Sequence, residues 1–452
     1  MTDLQPVREW EAQAYEFIER PVPAEVRARG AKTVSDVLCA MVAGADEPTN
    51  REVATTAPLA DGPATVVGTD RRVAPGHAAL VNGASAITPE IEEGHNTGGH
   101  VGAGIVAGGL AAAEAADRSG REFVEACVRS YELCVRLEFA IFAMKARLNE
   151  AVPWLLRDPH STWTTVGPAL TAAQCLGHAS EELRETFRVA ANLAVVSMHD
   201  PFEEGAPARN FTAGFSAQAG VDAAVLAGAG LSGSATAVAE VYDPFEELLD
   251  EGVFARQFAE LGETWEITRN YFKPYPSCRY THPPLDALRA AGEIDPAEVE
   301  SVDVHTFANA AEMDAARPTT LTGAKFSTPY VLARYLHSGA VELADFEPER
   351  VVDPAVQSLA ERVTLHVDEA FEAAFPEDWG ARVRVTLASG EVRTGERAYP
   401  RGDYRDPLSE EEFRDRCRRL LDPLDDPEAA LDAVLAVDER PVRDVTAALR
   451  TA

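Results

Sequence analysis

Three short stretches of this sequence place titratable side chains beside residues that break regular structure. They are Glu90-Ile-Glu-Glu-Gly-His-Asn-Thr-Gly-Gly-His100, Asp158-Pro-His160-Ser-Thr and Lys273-Pro-Tyr-Pro-Ser-Cys-Arg-Tyr-Thr-His282. Reactive groups tend to lie in loops, because a loop held by a rigid scaffold can aim a side chain at a substrate. Carboxylates, imidazoles and an ammonium group together suit the removal of a proton beside a carboxylate, without a metal ion.

The first stretch carries three carboxylates, on Glu90, Glu92 and Glu93, followed by His95 and His100. Its glycines prevent one continuous helix, so we predict a loop that leads into a helix. Proton transfer, with a carboxylate that orients a histidine, is one interpretation. A metal site is another, although the spacing matches neither His-Glu-x-x-His nor an EF-hand. A polar loop of solvated acids is the third, and spacing alone favours it.

His160 precedes a predicted helix, whose dipole disfavours protonation of the imidazole, as a general base requires. A simple helix cap is the alternative interpretation. Lys273-Pro-Tyr-Pro cannot be helical, so its lysine is presented on a stiff loop and suits a substrate carboxylate or a leaving hydroxyl. A surface lysine is the alternative, but lysines are rare: only four of the 41 basic residues are lysines. Arg209 can hold a carboxylate with two hydrogen bonds, and Tyr330 is typical of a core position.

The elements that position these residues follow from periodicity. Residues from about 8 to 250 have helical spacing, including helices predicted over Thr97 to Ser119 and Val166 to Leu176. From near Trp265 the pattern becomes mixed, and the strands Ala381 to Leu387 and Val392 to Ala398 are joined as a hairpin. From Ser409 the pattern is helical again. The order is therefore helical, mixed, helical.

Composition excludes several functions. The 74 acidic and 41 basic residues leave a formal net charge of −33, which argues against nucleic acid binding. The six cysteines form no Cys-x-x-Cys pair, so neither a zinc site nor an iron–sulfur cluster is indicated. The N-terminus lacks the apolar segment of a signal peptide, and no apolar run reaches the ~20 residues of a membrane span. We expect a cytoplasmic protein with no membrane partner. The acidic, lysine-poor composition also suggests a halophilic source, with a GC-rich genome as the alternative.

The stretches, in this order, resemble the MmgE/PrpD family, which includes 2-methylcitrate dehydratase, cis-aconitate decarboxylase and an epimerase of iminodisuccinate. The resemblance rests on Glu92-Glu-Gly-His, Ser119-Gly-Arg-Glu-Phe, His160-Ser-Thr, the Lys273 stretch and Phe326-Ser-Thr-Pro-Tyr. It implies a mainly α fold with a large, discontinuous all-helical domain and a smaller α+β lid domain. We place the helical domain at 1–265, the lid at 266–400 and the returning C-terminal helices at 401–452. The resemblance also implies a homodimer, no cofactor, and an active site between the domains.

The family's site positions carried onto this sequence are Glu90, His100, His160, Lys273 and Tyr330. Arg209 lies where the family usually has lysine, and Thr212 where many members have histidine. Among the residues of the acidic stretch, we take Glu90 or Glu93 as the group that orients a histidine. One of the two histidines is expected to be the base and the other the acid. Arg209, Thr212, Lys273 and His282 are expected to bind the substrate, and Tyr330 to donate to a carboxylate or to the leaving oxygen.

The reaction implied first is dehydration of a 2-methylcitrate-like tricarboxylate. Decarboxylation of cis-aconitate and epimerisation of an amino- or imino-dicarboxylate use the same kind of carbanion-like intermediate and stay open. A non-catalytic binding protein on the same fold is a further alternative, suggested by the departures at Gly94, Arg209 and Thr212.

Overall fold

The computed structural model describes residues 8–96, 99–151, 157–158, 165–193, 197–198, 205–242 and 252–451. In the N-terminal part, the α-helices are α1 (Glu9–Phe17), α2 (Ala24–Ala45), α3 (Pro48–Thr56), α4 (Pro75–Ile87), α5 (Val101–Ala115), α6 (Gly120–Ala151), α7 (Val166–Leu176), α8 (Ser180–Asn192), α9 (Thr212–Gly228), α10 (Ala237–Tyr242) and α11 (Val253–Phe258). The short strands there are β1 (Asp61–Thr65), β2 (Arg72–Val73), β3 (Arg157–Asp158) and β4 (Ser197–Met198).

The rest of the chain mixes both types of structure. The helices are α12 (His282–Ala290), α13 (Ala308–Ala311), α14 (Leu321–Lys325), α15 (Thr328–Ser338), α16 (Pro348–Val351), α17 (Pro354–Ala360), α18 (Glu369–Ala374), α19 (Glu410–Leu421), α20 (Pro427–Leu435) and α21 (Val442–Ala448). The strands are β5 (Val299–Thr306), β6 (Val363–Val367), β7 (Ala381–Leu387) and β8 (Val392–Arg397). Short 3-10 turns lie at Pro207–Phe211, Glu266–Arg269, Arg279–Thr281, Pro296–Glu298 and Leu343–Phe346.

Close packing of small residues holds the N-terminal helices together. Helices α4 and α9 cross where two glycines meet, and a methyl group at Gly83 would lie 2.9 Å from the Cα of Gly214. A methyl group at Gly108 of α5 would lie 2.7 Å from Pro168 of α7. These approaches are possible only without side chains, since packed interiors leave no spare volume. These close contacts fix the positions of the loop after α4, which carries Glu90, and of the turn before α9, which carries Arg209.

The lid contains a four-stranded sheet in the order β6-β5-β7-β8, in which only the β5–β6 pair is parallel. Strand β5 alternates as expected for a sheet with one covered face: Val302 and Val304 are buried against the lid helices. The β7–β8 hairpin predicted from the sequence is confirmed. The lid has its own hydrophobic core, separate from the core of the helical part.

The C-terminal helices return to the helical core. Phe413 and Cys417 of α19, Leu431 of α20 and Val445 of α21 belong to the same hydrophobic cluster as α2. A mainly α fold with a smaller α+β part is therefore confirmed. The predicted boundaries at 265/266 and 400/401 remain predictions.

One helix differs from its prediction. The pattern predicted a helix from Thr97, but α5 begins at Val101. The backbone N–H of His95 donates to Gly99 O at 2.8 Å and the backbone C=O of His95 accepts from Gly99 N at 2.9 Å, so Gly99 pairs with His95 and lies outside α5. Within the described residues, no helix combines the length and apolar composition required to cross a bilayer.

Candidate active site

Glu90 lies at the centre of a buried group of charges between the helical part and the lid. Helix α4 ends at Ile87, and Glu90 adopts a φ of 54°, in the left-handed region that residues other than glycine rarely occupy. Such a conformation costs about 1–3 kcal/mol and is typical of functional sites. Ion pairs hold it: the Glu90 carboxylate lies 2.8 Å from Lys273 Nζ and 2.5 Å from Arg209 Nη1.

His100 lies directly before α5 and contacts two carboxylates and a guanidinium. Its Nδ1 is 2.5 Å from Glu92 Oε1, and its Nε2 is 3.8 Å from Glu90 Oε2. Arg209 Nη2 lies 3.3 Å from the same Nε2. Because a guanidinium only donates, Nε2 accepts from Arg209, and the ring proton of a neutral imidazole is then assigned to Nδ1, which lies beside the Glu92 carboxylate. This arrangement is a neutral imidazole whose orientation is fixed by a carboxylate.

These five residues, Glu90, Glu92, His100, Arg209 and Lys273, are called the Glu90 cluster below. Burial alone would raise the pKa of Glu90, but the charges of Arg209 and Lys273 outweigh it and hold the pKa below its usual range. Burial lowers the pKa of His100, against the opposing charge of Glu92. The cluster therefore contains an ionised Glu90 beside an imidazole that stays neutral, which is the protonation state of a general base.

Backbone contacts bring Lys273 to the cluster. The side chain of Arg416, on α19, donates from Nε to Lys273 O at 2.7 Å and also bonds to Ile91 O and to Asp36. One arginine of the C-terminal helices thus ties the Lys273 loop to the Glu90 loop. The lysine itself is completely buried. The non-helical Lys273 loop predicted from its prolines is present. Because the side chain of Lys273 is buried, the alternative of a surface lysine is excluded.

The arrangement suits proton transfer more directly than metal binding. Among the residues that the structure describes, no group of three or more histidine, cysteine or acidic side chains is placed to hold a metal ion. The expected absence of a cofactor remains a prediction.

Comparison with known proteins identifies the family of this chain. Residues 15–255 match the model of the MmgE/PrpD N-terminal domain, and residues 275–439 match that of the MmgE/PrpD C-terminal domain. The chain belongs to the MmgE/PrpD family. A curated relative, the cis-aconitate decarboxylase-like protein oryM of Aspergillus oryzae, is 25% identical over 438 residues, which cover 90% of this chain and 88% of that protein. Together these matches support a lyase-type function.

We expected Glu90 or Glu93 to orient a histidine, but the carboxylate nearest to His100 in the structure is that of Glu92. Glu92, which the sequence interpretation did not select, makes the contact with His100 Nδ1. Alternation along the chain did not identify it, because the left-handed φ of 54° at Glu90 breaks the extended backbone that such an argument requires. Glu93 points the other way and accepts hydrogen bonds from Gly102 N, Tyr131 Oη and Asn270 Nδ2 at 2.8, 3.1 and 2.9 Å. It anchors the start of α5.

Tyr330 is placed in the core of the lid. Its hydroxyl donates to the backbone carbonyl of Asp345 at 2.5 Å, and its ring packs 5.8 Å from that of Phe346. In this structure it therefore stabilises the lid and does not join the Glu90 cluster, contrary to the role expected from the resemblance.

Two of the remaining expected residues, Thr212 and His282, belong to segments that adjoin the cluster. His282 is buried, donates from Nε2 to Ser277 O at 3.2 Å and lies 3.2 Å from Arg279 Nη1, so it supports the Lys273 loop. Thr212 begins α9, three residues after Arg209, and its contact with a substrate stays a prediction. His160 lies outside the described residues. The structure thus brings together Glu90, His100, Lys273 and Arg209 from the predicted set, and adds Glu92.

Proposed function

We propose that this chain is a metal-independent lyase that removes a proton beside a carboxylate of its substrate. The observation that carries the proposal is the Glu92–His100 pair, a buried neutral imidazole held by a carboxylate and flanked by Arg209 and Lys273. We propose dehydration of a 2-methylcitrate-like tricarboxylate as the reaction, because dehydration begins with a base, and an imidazole whose pKa is lowered is available as one.

Arg209 and Lys273 supply the electrostatic part of the reaction. A proton beside a carboxylate is weakly acidic, so its removal requires cations that stabilise the enolate-like charge as it develops. In this structure the two cations share one partner, the Glu90 carboxylate. A substrate carboxylate would compete with Glu90 for them. When Arg209 turns to the substrate, the Nε2 lone pair of His100 becomes free to accept the proton.

The second proton transfer goes to the leaving hydroxyl. The sequence left open which histidine is the acid; with His100 as the base, we propose His160 as the acid for this step and Lys273 as a cation that stabilises the developing charge. Glu92 holds the imidazolium form of His100 after proton abstraction, because its oxygen lies 2.5 Å from Nδ1.

Decarboxylation of cis-aconitate is the second candidate, and the similarity to oryM favours it. The two reactions make different demands on the same cluster. Decarboxylation needs an acid that protonates carbon after carbon dioxide leaves, whereas dehydration first needs a base. Nε2 of His100 faces the Arg209 guanidinium at 3.3 Å and is therefore the nitrogen without a proton, as a base requires, and for this reason dehydration is placed first.

The test is incubation of the purified chain with 2-methylcitrate, cis-aconitate and iminodisuccinate in high-salt buffer, followed by NMR in D₂O. Alkene formation from 2-methylcitrate supports the leading proposal, and release of carbon dioxide supports the second candidate. Exchange of a C–H proton without loss of water identifies an epimerase. Binding without any turnover identifies a non-catalytic protein. Activity that disappears on treatment with EDTA would contradict the metal-independent mechanism.

Two variants connect the activity to the cluster. His100→Asn is expected to lower turnover by about 10²–10⁴-fold, because it removes the proton-transfer group. His305→Asn is the matched control: His305 lies on the lid sheet and its ring stacks on His366 at 5.0 Å. Equal activities in the two variants would refute the assignment of His100.

A further inference from the structure

Lys325 reaches from the lid into the helical part and is buried, with 1% exposure. It is the last residue of the short helix α14. Its Nζ donates to the backbone carbonyl of Thr88 at 2.9 Å and lies 3.7 Å from Glu47 Oε1. Lys325 is one of the four lysines of the sequence, and the reaction proposed above assigns it no role.

The carbonyl that Lys325 binds lies two residues before Glu90. Thr88 caps the C-terminal end of α4, and its hydroxyl donates to Ala84 O at 2.7 Å. Helix C-termini carry carbonyls without helical partners and attract cations through the helix dipole. A buried ammonium here therefore anchors the turn from α4 into the left-handed Glu90.

The same lid segment supports two other parts of the cluster. The ring of Phe326, the next residue, lies 5.3 Å below the guanidinium of Arg209, which binds Glu90. The backbone carbonyl of Lys325 accepts a hydrogen bond of 2.9 Å from Cys278 N, on the Lys273 loop. Three separate chain segments of the cluster thus meet at Lys325 and Phe326.

Charge couples Lys325 to the cluster as well. Burial lowers the pKa of Lys325, and the carboxylates of Glu47, Glu90 and Glu92 oppose this effect. By reciprocity, the ammonium favours the ionised form of Glu90. Its removal would leave the buried acids with less compensation, which is costly in a medium of low dielectric constant.

We propose that Lys325 is a positioning residue through which the docked lid holds the Thr88–Glu90 turn and so assembles the Glu90 cluster. The inference rests on the proposed function for its consequence in turnover, but the contact with the turn is independent of the reaction. With the lid displaced, Glu90 would lose the anchor of its backbone and Arg209 its aromatic support.

The test compares Lys325→Met with Lys32→Met. Methionine keeps most of the side-chain volume and removes the charge. Lys32 is the control because its Nζ pairs with Glu410 Oε1 at 2.7 Å, between α2 and α19. Hydrogen–deuterium exchange read by mass spectrometry is expected to be faster in the peptide that covers residues 88–96 of Lys325→Met, and unchanged in Lys32→Met. Equal protection of this peptide in both variants and the wild type would overturn the proposal.

Kinetics provide the second readout. Since misplacement of a catalytic group by about 1 Å costs about 10²-fold, Lys325→Met is expected to lower kcat by about 10–100-fold and to leave KM within about threefold. The acidic limb of its pH–kcat profile is expected to move to higher pH, because loss of a nearby positive charge makes His100 easier to protonate. A purely structural role would leave this limb in place.

Lys325→Arg covers the case in which Lys325→Met does not fold. It keeps a charged donor and is expected to restore both the protection of residues 88–96 and the position of the acidic limb. A folded Lys325→Arg variant that restores neither would count against the proposal. If the wild type converts none of the acids tested, the proposed function fails, while the exchange experiment still decides the role of Lys325.

Discussion

Replacement of Glu92 by glutamine tests the centre of the proposed mechanism. The change keeps the size of the side chain and an oxygen that can accept the Nδ1 proton of His100, but it removes the negative charge 2.5 Å away. Glu92 is completely buried and His100 nearly so, so solvent screens this pair little. The variant therefore isolates the effect of charge from the effect of shape.

The expected fall in kcat of Glu92→Gln can be worked out from the contact between Glu92 and His100. A hydrogen bond to a charged group contributes about 1.5–3 kcal/mol, and a neutral one about 0.5–1.5 kcal/mol. Two unit charges at about 4 Å interact by about 4 kcal/mol when the effective dielectric constant is about 20. The transition state, in which His100 becomes positive, should lose about 2–4 kcal/mol in Glu92→Gln. At about 1.4 kcal/mol per tenfold in rate, kcat should fall by about 30- to 1000-fold.

The loss of the Glu92 charge also predicts the direction in which the pH–rate profile moves. The charge of Glu92 raises the pKa of His100, against the effect of burial. Without it the pKa of His100 falls further, and protonation inactivates the base only at lower pH. The acidic limb of kcat/KM should therefore move to lower pH in Glu92→Gln, opposite to the shift expected for Lys325→Met.

The assay is a series of pH–rate profiles on the substrate that the NMR panel identifies, with Glu114→Gln as control. Glu114 is also a buried glutamate of the helical part, but its carboxylate accepts from Thr65 N and Thr446 Oγ1 at 2.6 and 2.9 Å. The control is expected to lower Tm and keep the wild-type profile. A kcat for Glu92→Gln within threefold of the wild type, with an unmoved acidic limb, would refute the reasoning.

Four further predictions follow from other parts of the structure. Burial raises the pKa of Glu93 from 4.5 to about 8, so the folded chain keeps a proton that the unfolded chain releases. The free energy of unfolding should therefore fall by a few kcal/mol as the pH rises from about 5 to about 8. In Glu93→Gln, Tm should fall less over this pH range than in the wild type. An equal dependence of Tm on pH in the two proteins would contradict the prediction. Arg209→Met should raise KM for a tricarboxylate by about 10–100-fold in steady-state kinetics, and an unchanged KM would show that Arg209 does not bind the substrate. The homodimer expected from the family should form through α9, where the apolar residues Phe215 and Val225 are each 52% exposed. A variant with both residues changed to serine should be monomeric by light scattering. A monomeric wild type would contradict this prediction. The net charge of −33 predicts that Tm rises from about 0.1 M to about 3 M KCl, and indifference to salt would exclude a halophilic protein.

Residue types and their local pattern determined much of this protein. Helical spacing, alternating strands and a hairpin signal predicted the helical, mixed, helical order, since these patterns depend on neighbours a few residues apart. The prolines after Lys273 and the glycines between Glu93 and His100 predicted loops for the same reason, because they restrict backbone geometry locally. The candidate residues Glu90, His100 and Lys273 followed from their chemistry in those loops and from the family resemblance.

Only the tertiary structure decided which of these groups meet. Glu90 and Lys273 are 183 residues apart, and Thr88 and Lys325 are 237 apart, so no local pattern records their contacts. In the folded chain Glu92, and not Glu93, lies beside His100. Within the lid, the hydroxyl of Tyr330 donates to the backbone carbonyl of Asp345. Long-range packing and buried charge pairing set these outcomes, because each depends on side chains that become neighbours only when the lid and the helical part are folded together.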